Sequence, residues 1–271
     1  MFRRRNLSCH DRHRTVTWNG NSVAMPIARP TRLPHRIALP PEAMRLYGHV
    51  MGRIPFDIVI FDLDGTLADT AADLAAALNH VLGELGRASI TIENVRRMVG
   101  NGVRALLRRG LDATGEVNEA LIDRALPVFL EYYELHIADY SRPFDGVETA
   151  LTALQANGVS LAICTNKPEG LTMDLLAALG WQGRFAGVVG GDTLPQRKPD
   201  PAPVHEAIAR AGGGRAAFVG DSITDTTAAR AAGIPCVALT FGFSDRPANE
   251  LGATALIDHY DQLLPTLERL A

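Results

Sequence analysis

The stretch FDLDGTLADT, residues 61–70, places two aspartates directly after an apolar run of the chain. That run, FDIVIF at residues 56–61, predicts a buried β-strand. Asp62 and Asp64 follow at its end, where burial and mutual repulsion both disfavour ionised carboxylates. A nearby positive charge must offset this cost, and a divalent cation is the first candidate.

Short apolar runs alternate with longer helical stretches from residue 56 onward, which is typical of a parallel sheet covered on both faces. Residues 70–142 contain long helical patterns and no convincing strand, so they predict an inserted helical subdomain. The expected fold is therefore α/β, with a core at 55–69 and 143–271 and an α-helical cap at 70–142. The predicted strands are 56–61, 159–164, 186–190, 216–220, 235–240 and 254–257.

Residues 1–54 differ from the rest of the chain in charge and in proline content. They carry ten arginines and no lysine against Asp11 and Glu42, a charge of about +8 in a chain whose total is −3. Such a segment is poorly suited to burying a core, so we expect a mostly disordered leader outside the fold. A later start of translation, at Met25, Met44 or Met51, would account for such a leader. A nucleic-acid-binding arm and a cleaved transit peptide are the alternatives, and we expect no nucleic-acid partner.

Other broad classes are disfavoured by composition. The chain contains no run of 18 apolar residues, so we expect no membrane span. Three scattered cysteines do not suit a disulfide framework or a zinc site, which indicates a reducing compartment and a cytoplasmic protein. The sequence leaves the oligomeric state open between monomer and homodimer. The cysteines are Cys9, Cys164 and Cys236.

Polar residues follow three of the predicted strands at their carboxyl ends, where ligands bind in open α/β sheets. We expect these residues to converge on one crevice. Their carboxylates are hard oxygen ligands of the kind that Mg²⁺ prefers, and a threonine hydroxyl can donate hydrogen bonds to phosphate oxygens. The residues are Asp62, Asp64 and Thr66 after the first strand, Thr165, Asn166 and Lys167 after the second, and Asp221, Ser222 and Asp225 after the 216–220 strand.

Lysine usage points to one further site residue. The chain has 25 arginines and only two lysines, Lys167 and Lys198, although Arg197 shows that arginine is used beside the second of them. A lysine ammonium is a compact point charge that suits a narrow site between phosphate and carboxylates. We therefore predict a site role for Lys198, and for Lys167 we weigh a site role against a solvated position at a helix start.

Four motifs together resemble those of the haloacid-dehalogenase-like hydrolases. They are DLDGT at 62–66, Thr165–Asn166, Lys198–Pro199 and GDSITD at 220–225, in that family's order and spacing. The resemblance extends from about residue 56 to the C-terminus. It implies a Rossmann-like core with a helical cap, dependence on Mg²⁺ and an aspartyl-phosphate intermediate.

The resemblance also implies roles for the catalytic residues. By the family's pattern Asp62 is the nucleophile and Asp64 the general acid/base. Thr165 and Asn166 hold the phosphoryl group, and Lys198 neutralises its charge. The presence of Asp64 argues against the dehalogenases themselves, whose chemistry does not use this acid/base.

The same pattern implies a metal site. The metal would be ligated by Asp62, the main-chain carbonyl of Asp64 and Asp221. Asp225 would position these ligands without binding the metal itself. These assignments follow from the resemblance, whereas the choice of Mg²⁺ also agrees with the oxygen ligands that the sequence offers.

Within this superfamily the chain most resembles the phosphoglycolate phosphatases. The segments that carry the resemblance include TNKPEGLTMDLLAALG, RKPDPAP and LTFGFSD, and more weakly VGNGVRALL in the cap. It implies hydrolysis of a small phosphorylated metabolite, 2-phosphoglycolate, to glycolate and phosphate. Gly100, Asn101 and Gly102 would either present backbone N–H groups to a small carboxylate or form a break between cap helices.

Several alternatives remain open at this point. One is a phosphatase for pyrophosphate, a nucleotide or a sugar phosphate, and another is a phosphomutase of the same superfamily. A non-enzymatic protein that binds a phosphometabolite, or nucleic acid through its leader, is disfavoured because Asp62, Asp64, Lys198 and Asp221 are all present.

Overall fold

The computed structural model describes residues 15–18, 21–24 and 54–270. The chain divides into two units, Met1–Val50 and Met51–Ala271. In the first unit, strands β1 (Thr15–Trp18) and β2 (Asn21–Ala24) pair antiparallel. The sequence pattern did not indicate these two strands. Apart from them and Ile54, the predicted leader and the three alternative start positions lie outside the described residues.

The second unit is built on a six-stranded parallel sheet with the order β10-β9-β8-β3-β6-β7. The predicted α/β fold is confirmed, and each of the six predicted strands is present with its ends within two residues of the prediction. The strands are β3 (Ile58–Phe61), β6 (Ser160–Cys164), β7 (Gly187–Val189), β8 (Ala216–Gly220), β9 (Cys236–Leu239) and β10 (Ala255–Ile257).

Both faces of the sheet are covered, which is why the strands are nearly continuous apolar runs. Successive side chains of a strand point to opposite faces. Accordingly Val59 and Phe61 belong to one hydrophobic cluster, whereas Ile58 and Ile60 belong to another on the opposite face. Ile54 is buried in the first of these clusters, so the core begins before the predicted residue 55. The sheet therefore holds the carboxyl end of β3 rigidly at its centre.

The helices of the core follow the strands in the order expected for parallel crossovers. Two 3₁₀ turns, Ala248–Glu250 and Tyr260–Gln262, lie near the C-terminus. None of the described helices is both long and apolar enough to cross a membrane. The core helices are α5 (Val147–Ala156), α6 (Glu169–Ala178), α7 (Ala202–Arg210), α8 (Ile223–Ala231) and α9 (Leu263–Arg269).

Four further helices lie between β3 and β6 and have a hydrophobic cluster of their own, centred on residues such as Leu78, Leu107 and Phe129. Two short strands that the sequence did not indicate, β4 (Ala68–Asp69) and β5 (Arg142–Pro143), pair antiparallel on either side of this insertion. We propose that the cap extends over residues 70–142, between these strands. Its helices are α1 (Ala71–Glu84), α2 (Ile92–Arg96), α3 (Val103–Asp112) and α4 (Glu119–Leu135).

A buried carboxylate joins the two ends of the cap. Asp73 lies in the first turn of α1 and is 1% exposed. It accepts hydrogen bonds from the backbone N–H groups of Tyr140 and Ser141, the latter at 2.8 Å, and from Ser141 Oγ at 2.5 Å. Since a buried carboxylate is stable only when it is well hydrogen-bonded, this contact fixes where the chain returns to the core.

Replacing Asp73 should destabilise the protein markedly. In Asp73→Ala the buried donors of Tyr140 and Ser141 lose their acceptor, and we expect the free energy of unfolding to fall by roughly 2 to 4 kcal/mol. Urea denaturation measures this change. The matched control is Asp112→Ala, which removes an exposed carboxylate from the end of α3; equal effects of the two substitutions would show that the Asp73 contacts carry no special weight.

Candidate active site

The loop after β3 brings Asp62 to the centre of the carboxyl edge of the sheet. The Asp62 N–H donates to Val219 O at 3.0 Å, which continues the pairing with β8. Its carboxylate Oδ1 accepts from the N–H of Leu63 at 2.7 Å and lies 3.1 Å from Lys198 Nζ. The side chain is almost completely buried. Asp62 is therefore held in one orientation by backbone and by an ion pair.

Asp221, at the end of β8, lies against the same loop. Thr66 Oγ1 donates to its Oδ1 at 2.7 Å, and the N–H of Phe243 donates to its Oδ2 at 2.5 Å. Gly65 has φ of +81°, and a Cβ at that position would lie 2.4 Å from Asp221 Oδ2. Only glycine fits there, because any side chain would displace the carboxylate.

Asp225 lies in the first turn of α8 and faces the same cluster. Both of its carboxylate oxygens accept hydrogen bonds from the protein. Its Oδ2 accepts from the N–H groups of Asp221 and Ser222 and from Ser222 Oγ. Its Oδ1 accepts from Lys198 Nζ at 2.6 Å. These contacts support the role that the sequence indicated for Asp225, which is to position its neighbours.

Lys198 is the cation of this cluster. Burial alone would lower the pKa of its ammonium group, but the carboxylates of Asp225 and Asp62 outweigh burial and raise the pKa above its ordinary value. Lys198 is therefore charged at neutral pH. Its position between two carboxylates agrees with the prediction made from the scarcity of lysine.

One ammonium group does not neutralise the three buried carboxylates. Burial raises the pKa of Asp62 to about 6. The Lys198 ammonium group offsets the effect of burial only in part, and the Asp225 carboxylate adds repulsion. Burial also raises the pKa of Asp221 well above its ordinary value, together with repulsion from Asp225 and Asp62. The site thus holds more negative charge than its own residues stabilise.

These residues fit a divalent metal ion. Asp62, Asp221 and Asp225 each offer a carboxylate oxygen, and the three oxygens lie within 4.8 Å of one another. Asp225 Oδ2 accepts three hydrogen bonds and its Oδ1 accepts the Lys198 ammonium group, whereas each Asp221 oxygen accepts a single hydrogen bond and Asp62 is held through Oδ1. Asp62 and Asp221 are therefore better suited than Asp225 to ligate the metal. Hard cations prefer such oxygen ligands.

Thr165, Asn166 and Lys167 follow β6 and reach the same edge, as predicted. All three are buried, and all three line a cavity beside Asp62 and Asp64. Asn166 Nδ2 donates to Gly100 O at 3.0 Å and to Lys198 O at 3.1 Å. Both amide hydrogens are thereby used, so the Asn166 side chain has no donor left for a phosphoryl group. Its contacts instead join the cap to the Lys198 segment.

Lys167, to which the sequence gave less weight, lies inside the cavity wall and is 4% exposed. Its Nζ is 3.2 Å from Asp64 Oδ1 and donates to Tyr133 Oη at 2.6 Å. Burial lowers the pKa of Lys167, and the carboxylate of Asp64 offsets this only in part. Two sequence signals pointed to it, its place after the second strand and the rarity of lysine, whereas nothing in the sequence indicated Tyr133.

The cap supplies the remaining wall of the cavity. A non-helical segment separates α2 from α3, as one of the two interpretations of Gly100–Gly102 predicted. Gly100 and Gly102 in this segment have φ of +108° and +81°. Together with cap side chains they line the same cavity as Asp62 and Asp64. The cap residues that line it are Leu74, Val99, Gly100, Gly102, Val103, Leu106 and Tyr133.

The raised pKa of Asp62 predicts how stability depends on pH in metal-free protein. The folded state holds the Asp62 proton more tightly than the unfolded state, so this stabilisation is present below pH 3.8 and is lost as pH rises through about 6. Asp62→Asn removes the charge and keeps the acceptor oxygen. We expect the free energy of unfolding of this variant to equal that of the wild type near pH 4 and to be higher by up to about 3 kcal/mol at pH 7.

Denaturation in a chelating buffer at pH 4, 5, 6 and 7 measures this difference. Asp174→Asn is the control, because Asp174 is an exposed carboxylate on α6. A stability difference between Asp62→Asn and wild type that does not change with pH would contradict the assignment of a strained, buried carboxylate.

Comparison with known proteins agrees with this geometry. Among curated relatives, the Agrobacterium fabrum phosphoglycolate phosphatase is 42% identical over 213 residues, which cover 78% of this chain and 91% of that protein. The Mesorhizobium japonicum phosphoglycolate phosphatase is 45% identical over 217 residues, covering 79% and 96%.

Solved structures show the same fold. A Haemophilus somnus protein, described as a predicted phosphoglycolate phosphatase, superposes with a TM-score of 0.74 at 32% identity and covers 79% of this chain and 99% of its own. The family model described as haloacid dehalogenase-like hydrolase matches residues 59–239, which include every residue of the carboxylate cluster. The chain belongs to the haloacid dehalogenase-like hydrolase family.

Proposed function

We propose that this protein is a Mg²⁺-dependent phosphatase that hydrolyses 2-phosphoglycolate to glycolate and phosphate through an aspartyl-phosphate. The observation that carries this proposal is the buried Asp62 carboxylate, held by Leu63 and Lys198 beside Asp221, at the floor of a cavity that Asp64 also lines. The curated relatives named phosphoglycolate phosphatase support the choice of substrate.

Asp62 and Asp221 would hold the metal, with the main-chain carbonyl of Asp64 as the family pattern implies. Bound Mg²⁺ offsets the charge of the carboxylates and of the phosphoryl oxygens. The charge excess of the cluster supports this assignment, because both carboxylates have raised pKa values in the absence of a cation.

In the first step a carboxylate oxygen of Asp62 attacks phosphorus, and the bond from phosphorus to the ester oxygen breaks. Asp64 transfers its proton to that oxygen, and glycolate leaves as the alcohol. Thr165 donates its hydroxyl hydrogen to a phosphoryl oxygen, and Lys198 offsets the developing negative charge. The contacts of Asn166 with Gly100 and Lys198 suit it to positioning these groups.

In the second step water attacks the phosphorus of the aspartyl-phosphate. Asp64, now ionised, takes the proton from water, and the bond from phosphorus to Asp62 breaks. Phosphate leaves, and the enzyme recovers an ionised Asp62 and a protonated Asp64. The cap limits the access of bulk water to the cavity during both steps, because cap residues line the cavity together with Asp62 and Asp64.

We propose a cytoplasmic location, in keeping with the free, buried thiols of Cys164 and Cys236. The partner is a small phosphorylated metabolite, and a monomer and a homodimer fit the proposal equally well.

Phosphate release from a panel of phosphomonoesters tests the function. We expect 2-phosphoglycolate to have the highest kcat/KM, ahead of pyrophosphate, a nucleoside monophosphate and glucose phosphates. Activity should require Mg²⁺ and should fall at least about 10⁴-fold in Asp62→Asn, because the nucleophile is lost. Asp174→Asn, on the surface of the core, should retain full activity.

If another substrate is preferred with the same dependence on Mg²⁺ and Asp62, 2-phosphoglycolate is refuted as the substrate, whereas the proposed mechanism stands. Formation of a phosphate isomer from a sugar phosphate, in place of free phosphate, would identify a phosphomutase. Activity that persists in Asp62→Asn would contradict the proposed nucleophile.

A further inference from the structure

The cavity beside Asp62 contains one cationic side chain that the proposed chemistry does not use. Among the described residues that line it, Lys167 is the only lysine or arginine. Its ammonium group is buried and lies 3.2 Å and 3.4 Å from the two carboxylate oxygens of Asp64. A lysine buried at this depth retains its charge only beside an anion, so its position directly next to the acid/base requires an explanation.

Tyr133 of the cap completes a pair of hydrogen-bond donors. Its hydroxyl accepts from Lys167 Nζ at 2.6 Å, and the ammonium group lies 4.3 Å from the centre of its ring. No described residue of the second unit accepts the hydroxyl hydrogen of Tyr133. Both Tyr133 and Lys167 line the cavity, so the Tyr133 hydroxyl hydrogen can turn to an anion placed there. The ammonium group, whose hydrogens face Asp64 and Tyr133, offers that anion its positive charge.

The surroundings of this pair suit a small ligand with one anionic end. Leu74, Val99 and Leu106 contribute an apolar wall to the cavity. Gly102, the residue before α3, offers no side chain to the first N–H groups of that helix, and this positive helix end lies at the same cavity. A bulky polar leaving group would find few partners in this wall.

The proposed reaction places an anion at this position. Asp64 protonates the ester oxygen, so the ester oxygen must lie next to Asp64. In 2-phosphoglycolate a single methylene group separates that oxygen from the carboxylate carbon, which keeps the carboxylate within about 4 Å of it. Lys167 Nζ, which lies 3.2 Å from Asp64 Oδ1, is then within reach of the leaving-group carboxylate.

We propose that Lys167 and Tyr133 form a subsite that binds the carboxylate of the leaving group and so sets the preference for a small anionic ester. This inference rests on the proposed function. In the subsite Lys167 contributes the charge from the core, and Tyr133 contributes a hydroxyl donor from the cap. The carboxylate is therefore recognised only when the cap lies over the core.

The test compares two esters of the same size that differ in charge, 2-phosphoglycolate and 2-phosphoglycolamide. Lys167→Met keeps the length of the side chain and removes its charge, and Tyr133→Phe removes only the hydroxyl. We expect the ratio of the two kcat/KM values to fall about 30-fold in Lys167→Met and about 5-fold in Tyr133→Phe. The matched control is Lys198→Met, which should lower kcat for both esters alike.

An equal loss for both esters in Lys167→Met and in Tyr133→Phe would overturn the subsite, because it would show that the pair only orients Asp64. If Lys167→Met does not fold, as judged by circular dichroism, the ratio in Tyr133→Phe decides. A wild type that does not prefer 2-phosphoglycolate to the other phosphomonoesters would instead overturn the proposed function, and the two failures are therefore distinguishable.

Discussion

The constraint on which the rest of the structure depends is the crowding of three buried carboxylates, Asp62, Asp221 and Asp225, beside one ammonium group, Lys198 Nζ, which contacts Asp62 and Asp225. All three carboxylates are at most 5% exposed, and burial with mutual repulsion disfavours their charged forms. Rigid neighbours keep them in place. The Gly65 loop leaves no space for a side chain, and at Gly242 a Cβ would lie 2.1 Å from that of Asp221. The sheet holds the carboxylates together at its carboxyl edge, where a bound cation would offset their repulsion.

The core and the cap contribute different residues to the site. The core supplies the carboxylates and Lys198, and the buried sheet beneath them has no freedom to adapt. The cap helices pack around a hydrophobic cluster that also includes Leu171 of the core, and Asp73 fixes the base of the cap. It reaches the site through few contacts, chiefly Gly100 with Asn166 and Tyr133 with Lys167. On the proposed function, substrate preference would therefore depend on a small set of residues from the core and the cap.

The sequence predicted the sheet well because each strand is a short apolar run that must be buried on both faces. It also predicted that Asp62, Thr165 and Asp221 would meet, since parallel strands bring their carboxyl ends to one edge. The prediction for Lys198 came instead from the scarcity of lysine and from the family resemblance. Contacts made by the cap could not be predicted in the same way. Tyr133 reaches Lys167 only because α4 packs across α1, and no local pattern encodes that placement. The orientation of the Asn166 amide depends on two distant carbonyl groups, and the short β4–β5 pair has too few residues to produce a pattern.

The central claim is that a divalent cation balances the charge of a buried pair, Asp62 and Asp221. Calorimetric titration of metal-free protein with Mg²⁺, repeated in buffers of different ionisation enthalpy, measures both affinity and proton release. Because the pKa of Asp62 is about 6, binding at pH 6 should release at least about half a proton, and Asp62→Asn should release less and bind more weakly. Mg²⁺ binding at pH 6 without proton release, and with the same affinity in Asp62→Asn, would contradict the account.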